Sequence, residues 1–308
     1  MATSPFTQLR RRLALAGGRP ATAPAESAGG RRDDATYRPA TLVDGPLRHV
    51  PLAPPIGWAE PVGFLDGTQH VELLGYVGTH PVVAAVVRAG VRLRTERRLR
   101  AGPSDTQRLV IGHPEALSRL GDVRDGERVV ALATDEPPHP VRDLDRAHAE
   151  VDRARGALEL AIAGAFRTAA PHTWLVVDGS LAASPDWARD ERMVGVVKSH
   201  ASLPFEGPEL ETYLTLPVGH RTSLFRPQSR QVAPVLAWGL RLWPWEGRDL
   251  FHGLVRIEVA DTERMARVTD LLSCHLLAER APLAADPRAD RLLYGIHDVE
   301  RWLRAQGA

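Results

Sequence analysis

Two stretches of this chain share one form: an apolar run that ends in Asp-Gly and then a small hydroxyl residue. They are Val62-Gly63-Phe64-Leu65-Asp66-Gly67-Thr68 and Trp174-Leu175-Val176-Val177-Asp178-Gly179-Ser180. Each reads as a buried β-strand delivering a carboxylate at its C-terminal end, where open α/β sheets place their sites. Neighbouring carboxylates repel, so one holds its proton tightly unless a cation compensates. A divalent metal answers that problem and polarises a phosphodiester. The following glycine lets backbone approach a ligand closely. Asp-Gly at a strand end is also a common turn signal, and the residues alone leave both readings open.

A metal site needs further oxygen ligands. Glu159 sits beside the apolar face of a helical stretch, where a bare glutamate is costly. It is set against a surface salt bridge, with Glu150 as the competing ligand. Asp143, Asp145 and Asp152 read as solvated helix charges. Lys198 is the one lysine of the chain and ends the strand-like Met193–Val197. A compact ammonium there suits charge on a scissile phosphate, and the plain alternative is an ordinary strand-end lysine. His200 follows closely enough to assist. Arg221 suits a backbone phosphate. Arg241 lies among Trp238, Trp243 and Trp245, an aromatic cluster suited to stacking on unpaired bases or equally to core packing. His297 offers a metal nitrogen or a proton-transfer group, or a solvent-facing helix residue.

The elements that must position these groups follow from periodicity. Residues 143–168 carry Leu144, Ala147, Val151, Ala154, Leu158 and Ala161 on one face, which predicts a long helix ahead of the second Asp-Gly strand. Val71–Tyr76 and Pro81–Arg94 are rich in β-branched residues and predict an antiparallel meander after the first strand. Arg92, Arg94, Arg97, Arg98 and Arg100 then read as a solvated face or a DNA-facing edge. Leu254–Val259 alternates as a strand, and Thr262–Arg304 is helical with breaks near Pro282 and Pro287. Cys274 reads as a buried helix residue. Residues 1–60 read as an N-terminal tail and irregular lead-in containing a short helix over Phe6–Ala16; residues 61–308 read as the folded domain.

The 308 residues are 44% hydrophobic and 25% charged, with a formal net charge of +1. That balance is globular and argues neither for nor against nucleic acid. A single cysteine excludes an intrachain disulfide or a Cys-based zinc site. No apolar run approaches a membrane span, so a cytoplasmic protein with no membrane contact is expected. No glycine-rich phosphate loop follows a first strand, which weighs against a nucleotide-binding enzyme.

The order of Phe64–Thr68, Arg155–Glu159, Val176–Leu181, Val194–Ser199 and Val255–Glu258 resembles the NurA nuclease family, the partners of HerA-type hexameric DNA translocases. The resemblance covers roughly residues 60–305. It implies an α/β, RNase H-like mixed sheet flanked by helices, with extra C-terminal helical elements. It also implies a Mn2+- or Mg2+-dependent DNA nuclease for end resection, repair or defence. Asp66, Glu159 and Asp178 would be the metal-binding acids and Lys198 an adjacent base. A homodimer docked on a hexameric ATPase, with DNA passing through, is implied too. The C-terminal pattern departs from the family's Tyr-Pro and Ala-His pairs: Asp286-Pro287 is followed by Tyr294 and His297. The competing expectation is a DNA-binding or translocase-docking subunit with an impaired site.

Overall fold

The computed structural model describes residues 6–20, 36–121, 126–200, 202–228, 234–246, 248–283 and 289–306. Asp286 and Pro287 lie outside the described residues. Helix α1 (Thr7–Leu15) precedes the short strands β1 (Arg19–Pro20), β2 (Thr36–Tyr37), β3 (Ala40–Leu42) and β4 (His49–Pro51). Three long strands follow, β5 (Val62–Val77), β6 (His80–Thr95) and β7 (Arg98–Gly112). Helix α2 (Pro114–Leu120) and β8 (Glu127–Ala131) lead to the 30-residue α3 (Pro140–Ala169). Then come β9 (Trp174–Asp178), α4 (Pro185–Arg189), β10 (Met193–Val197), β11 (Ser202–Leu203) and α5 (Gly207–Leu214). The chain ends with β12 (His220–Thr222), β13 (Phe225–Pro227), β14 (Val235–Arg241), β15 (Leu254–Ala260), α6 (Glu263–Ala278) and α7 (Tyr294–Ala305).

The main sheet runs β3-β13-β14-β15-β10-β9-β5-β6-β7-β8. Strands β5, β6 and β7 form an antiparallel meander, but the strand expected to end at Asp66 runs on through Val71–Tyr76 as one continuous β5 because it pairs with β6 along its whole length; β9 is parallel to both β5 and β10. The fold is the expected mixed α/β sheet flanked by helices.

The meander holds because β6 from His80 to Val91 is buried on both faces. Val83, Ala85, Val87, Ala89 and Val91 meet α3, while Val82, Ala84 and Val86 meet α1 and α2. Helix α3 begins where Pro140 fixes its first turn and His139 accepts from the Arg142 N–H. It presents Ala147, Val151, Leu158, Ile162 and Phe166 to the sheet at helical spacing. On the opposite sheet face, α6 and α7 cover Phe64, Val176, Val194, Trp238 and Ile257. Gly295 of α7 rests on the Phe64 ring, a contact that any β-carbon would block.

Several local expectations change. Asp143 is buried, accepting from the His139 N–H at 3.1 Å as part of the α3 start, and is not a solvated charge. Strand β15 is covered on both faces, so its alternation of charged and apolar residues does not mark a solvent side. Three short strands before residue 61 join the main sheet, β1 pairing with β5, β3 with β13 and β4 with β12, while β2 pairs with β11 in a separate two-stranded sheet. Phe6, Leu9 and Leu13 are buried against the hairpin, so residue 60 marks no break in the fold. Cys274 is buried on α6. No helix among the described residues is long and apolar enough to cross a membrane.

Candidate metal centre at the strand ends

Parallel pairing of β5 with β9 runs from Val62↔Trp174 to Leu65↔Val177. The next residues on the two strands are Asp66 and Asp178. Strand β9 ends here while β5 continues to Val77, so the parallel pairing stops at the two carboxylates. Strand β10 pairs with β9 through Val196↔Asp178, which sets Lys198 two residues beyond. Its ammonium donates to Asp178 Oδ2 at 2.7 Å.

Glu159 reaches the same place from α3. Its carboxylate fills the space that a side chain at position 67 would need, and Gly67 is what admits it. Arg155, one turn earlier, donates from Nη1 to Glu159 Oε1 at 3.0 Å and from Nε to Gln69 Oε1 at 2.9 Å. The arginine thus fastens α3 to β5 while holding one oxygen of Glu159.

The three acids sense one another's charge. Burial first, then the Asp178 charge, raises the Asp66 carboxyl well above the ordinary range; Lys198 and the Gly67 N–H work against this, and Glu159 adds to it. Burial also raises Glu159, opposed by Arg155 and reinforced by Asp178. Two residues along from Asp66, Thr68 Oγ1 is buried without a hydrogen-bond partner. Carboxylates whose negative charge is incompletely offset, beside an unpartnered hydroxyl, form a hard-oxygen donor set that fits Mg2+ or Mn2+. Their ligand atoms do not converge within 4.8 Å; the one group of three that does, among the described residues, is elsewhere.

Glu258, given no role by the sequence reading, fixes the turn that carries Asp178. It is 1% exposed. Its Oε2 accepts from Ser180 Oγ at 2.7 Å and the Leu181 N–H at 3.0 Å, and Oε1 accepts from Arg256 Nε at 2.9 Å. Gly179 adopts φ +132° and donates its N–H to Val196 O. A glutamate inside an apolar strand was the available signal.

The other candidates lie elsewhere. Arg241 is 0% exposed and donates to the carbonyls of Leu214, Leu216, Leu250 and His252, which corrects its assignment to nucleic acid. Burial lowers its guanidinium to about 10. Arg221 is also corrected: it is buried in β12 and bound to Asp270 and to Thr222 O at 2.9 Å. Trp238 is a core residue donating to Ser273 Oγ. His200 stacks on Phe251 and bonds Leu254 O at 2.9 Å; burial lowers it to about 4. His297 is half-buried on α7 with Nδ1 unpartnered, and it makes no hydrogen bond or ion pair with the three acids. Glu150 pairs with Arg153. Arg92 and Arg94 serve packing: they pair with Asp298 and Glu279 and lie over the Trp302 and Phe64 rings.

The fold is similar to that of the NurA nuclease from Sulfolobus solfataricus, at 9% sequence identity and a TM-score of 0.49, covering 81% of this chain and 80% of that one. It is also similar to the catalytic domain of human Endonuclease V, at 13% identity and a TM-score of 0.36, covering 83% and 89%. No protein-family model matches the chain, and no curated protein does.

Proposed function

We propose that this protein is a divalent-metal-dependent DNA nuclease that hydrolyses phosphodiesters. One observation carries the reading: Asp66 and Asp178 stand in register where the parallel pairing of β5 and β9 stops, with Glu159 held against Gly67. Asp66, Asp178 and Glu159 would hold Mg2+ or Mn2+. The bound ion would supply Lewis-acid polarisation of a phosphoryl oxygen and lower the pKa of the attacking water. The protein's own groups do the rest. With Asp178 engaged as a ligand, the Lys198 ammonium is free to donate to a non-bridging phosphate oxygen and offset developing charge. Arg155 keeps Glu159 turned to the site by one oxygen and leaves the other available. Glu258 keeps the Asp178 turn closed. The motif order in the sequence supports work in end resection, repair or defence, as a homodimer with a HerA-type hexameric ATPase in the cytoplasm.

A second reading, a DNA-binding or translocase-docking subunit with an impaired site, is favoured by the ion pair in which Lys198 already neutralises Asp178. Cleavage of end-labelled single- and double-stranded DNA with Mn2+, Mg2+ or EDTA separates the two. Metal-dependent cutting by the wild type, lost in folded Asp66→Ala and Asp178→Ala, supports the nuclease. No cutting by the wild type, even with its translocase, leaves the second reading.

A further inference from the structure

At the far end of the meander, two histidines and a glutamate gather outside the carboxylate site. His80 opens β6 and His113 directly follows β7, and the pairing Val82↔Gly112 brings them together. Their rings stack at 4.1 Å between centroids, 16° from parallel. Glu115, in the first turn of α2, has its carboxylate 4.0 Å from His80 Nε2. One ligand atom from each of the three lies within 4.8 Å of the others. His80 is 9% exposed, and its Nδ1 is buried with no hydrogen-bond partner. A metal takes one imidazole nitrogen, and the His80 nitrogen measured against Glu115 is Nε2; Nδ1 lies on the other edge of the ring.

We infer that His80, His113 and Glu115 bind one Zn2+ ion in a clasp that ties the β5–β6 hairpin tip to α2. Two imidazoles and one carboxylate suit zinc, with a fourth position left to water. This donor set differs in kind from the three carboxylates, which suit Mg2+ or Mn2+. Asp66 pairs with Gly90, ten residues along β6 from His80, so the two sites stand roughly 30 Å apart at ~3.3 Å per residue. The clasp stands or falls independently of the nuclease reading.

Zinc with ligands at ~2.0–2.2 Å needs the donor atoms about 1 Å closer together than they now stand. The parts that must move are weakly held. The Glu115 side chain is more than half exposed, and its ion-pair partner beyond His80 among the described residues is Arg119 on the helix surface. Such an exposed pair is screened by water and readily given up. His113 accepts from the Glu115 N–H at a long 3.3 Å, so its ring can turn out of the stack at little loss. His80 stays fixed by burial and acts as the anchor.

The test is Zn2+ retention by the full chain after gel filtration, with Co2+ as a spectroscopic probe, in an Asp66→Asn/Asp178→Asn background that disables the carboxylate site. We expect one Zn2+ per chain, a Co2+ spectrum with histidine-nitrogen character, and a melting temperature raised by Zn2+ but not by Mg2+. His113→Gln and Glu115→Gln, both at accessible positions, should each weaken retention at least ~10-fold and abolish the Zn2+-dependent rise in melting temperature. The inference is overturned if the background protein retains no Zn2+. It is equally overturned if retention survives in the His113→Gln/Glu115→Gln double variant with its fold intact.

Discussion

The Nζ of Lys198 lies 2.7 Å from Oδ2 of Asp178, so the single lysine of the chain and the aspartate that ends β9 form an ion pair inside the site. The pair gives Lys198 two tasks that pull in opposite directions. It steadies Asp178 before a cation arrives, and it competes with that cation. Lys198→Met should therefore strengthen Mn2+ binding while lowering the cleavage rate by about 10²–10³, the usual loss when a donor to developing charge is removed. Titration of Mn2+ binding beside single-turnover cleavage separates the two effects. Weaker metal binding in the variant would show that Lys198 does not compete for Asp178. Lys198→Arg should not restore the rate, because a planar fork cannot replace a point charge on this stem.

Gly67→Ala tests whether the glycine is there for Glu159. The new methyl group would occupy the space of the Glu159 carboxylate. The flexible end of that side chain gives way before the strand does, so the protein should fold. Displacing a ligand by about 1 Å should lower the cleavage rate on the order of 10²-fold. The measurement is the rate beside a thermal melt. Full activity in Gly67→Ala would remove Glu159 from the site.

Asp66→Asn should stabilise the metal-free protein near neutral pH. The Asp66 carboxyl is raised by burial and by Asp178, so ionising it costs more in the folded state than in the unfolded state. Below the ordinary carboxylate range both states are protonated, and wild type and variant should melt alike. As pH rises through that range the unfolded chain ionises first, the wild type loses stability, and the gap opens until the folded carboxyl also ionises. Saturating Mn2+ should reverse the order, because only the wild type presents the full ligand set. Melting curves from pH 3 to 8, with EDTA and with Mn2+, check both signs. A metal-free variant less stable than wild type at neutral pH would contradict the charge assignment.

Arg241→Ala should leave DNA affinity per folded molecule unchanged and destabilise the fold by at least about 3 kcal/mol. It removes the donors to four backbone carbonyls from the Leu214–Leu216 and Leu250–His252 segments. Each buried acceptor left unmatched costs about 1–3 kcal/mol. Denaturant unfolding and a DNA-binding titration check the two halves. Weakened DNA binding with unchanged stability would restore Arg241 to the nucleic-acid interface.

The same residue marks where sequence reading stopped. Asp178 at the end of β9 and the long α3 that carries Glu159 were legible because their signals are local, whereas Asp66, read as a strand end, is the fifth residue of the 16-residue β5, since Asp-Gly marks no turn there. An arginine carries no local sign of whether water or four distant carbonyls will surround it. Arg221 and Arg241 were misread for that reason, since partners such as Asp270 and Leu214 come from segments 49 and 27 residues away. The short strands β3, β4, β12 and β13 were missed because two or three residues hold no period, and only pairing defines them. Glu258 was noticed in the motif order without a role. Its task depends on Ser180, which is 78 residues earlier.

Glu258→Gln should lower metal affinity about 10–100-fold while the fold is kept, the usual loss when a group that orients a ligand is changed. The glutamine retains the size of the side chain and one acceptor oxygen. It replaces the other oxygen with an amide that cannot accept from Arg256 while the first still serves Ser180 and Leu181. The amide opposes Arg256 as donor against donor, and a neutral oxygen holds Ser180 Oγ and Leu181 N less strongly than a carboxylate does, so the Asp178–Gly179–Ser180 turn loosens. Glu258→Ala would confound the test by leaving Arg256 without its partner beside a cavity, so glutamine is the informative change. At saturating Mn2+ the cleavage rate should return most of the way to wild type, since the residue acts through Asp178 and touches neither metal nor DNA. A variant with wild-type Mn2+ affinity would reduce Glu258 to a purely structural partner of Arg256. A rate that stays low at saturation would place it closer to the reacting phosphate than its contacts with the turn imply.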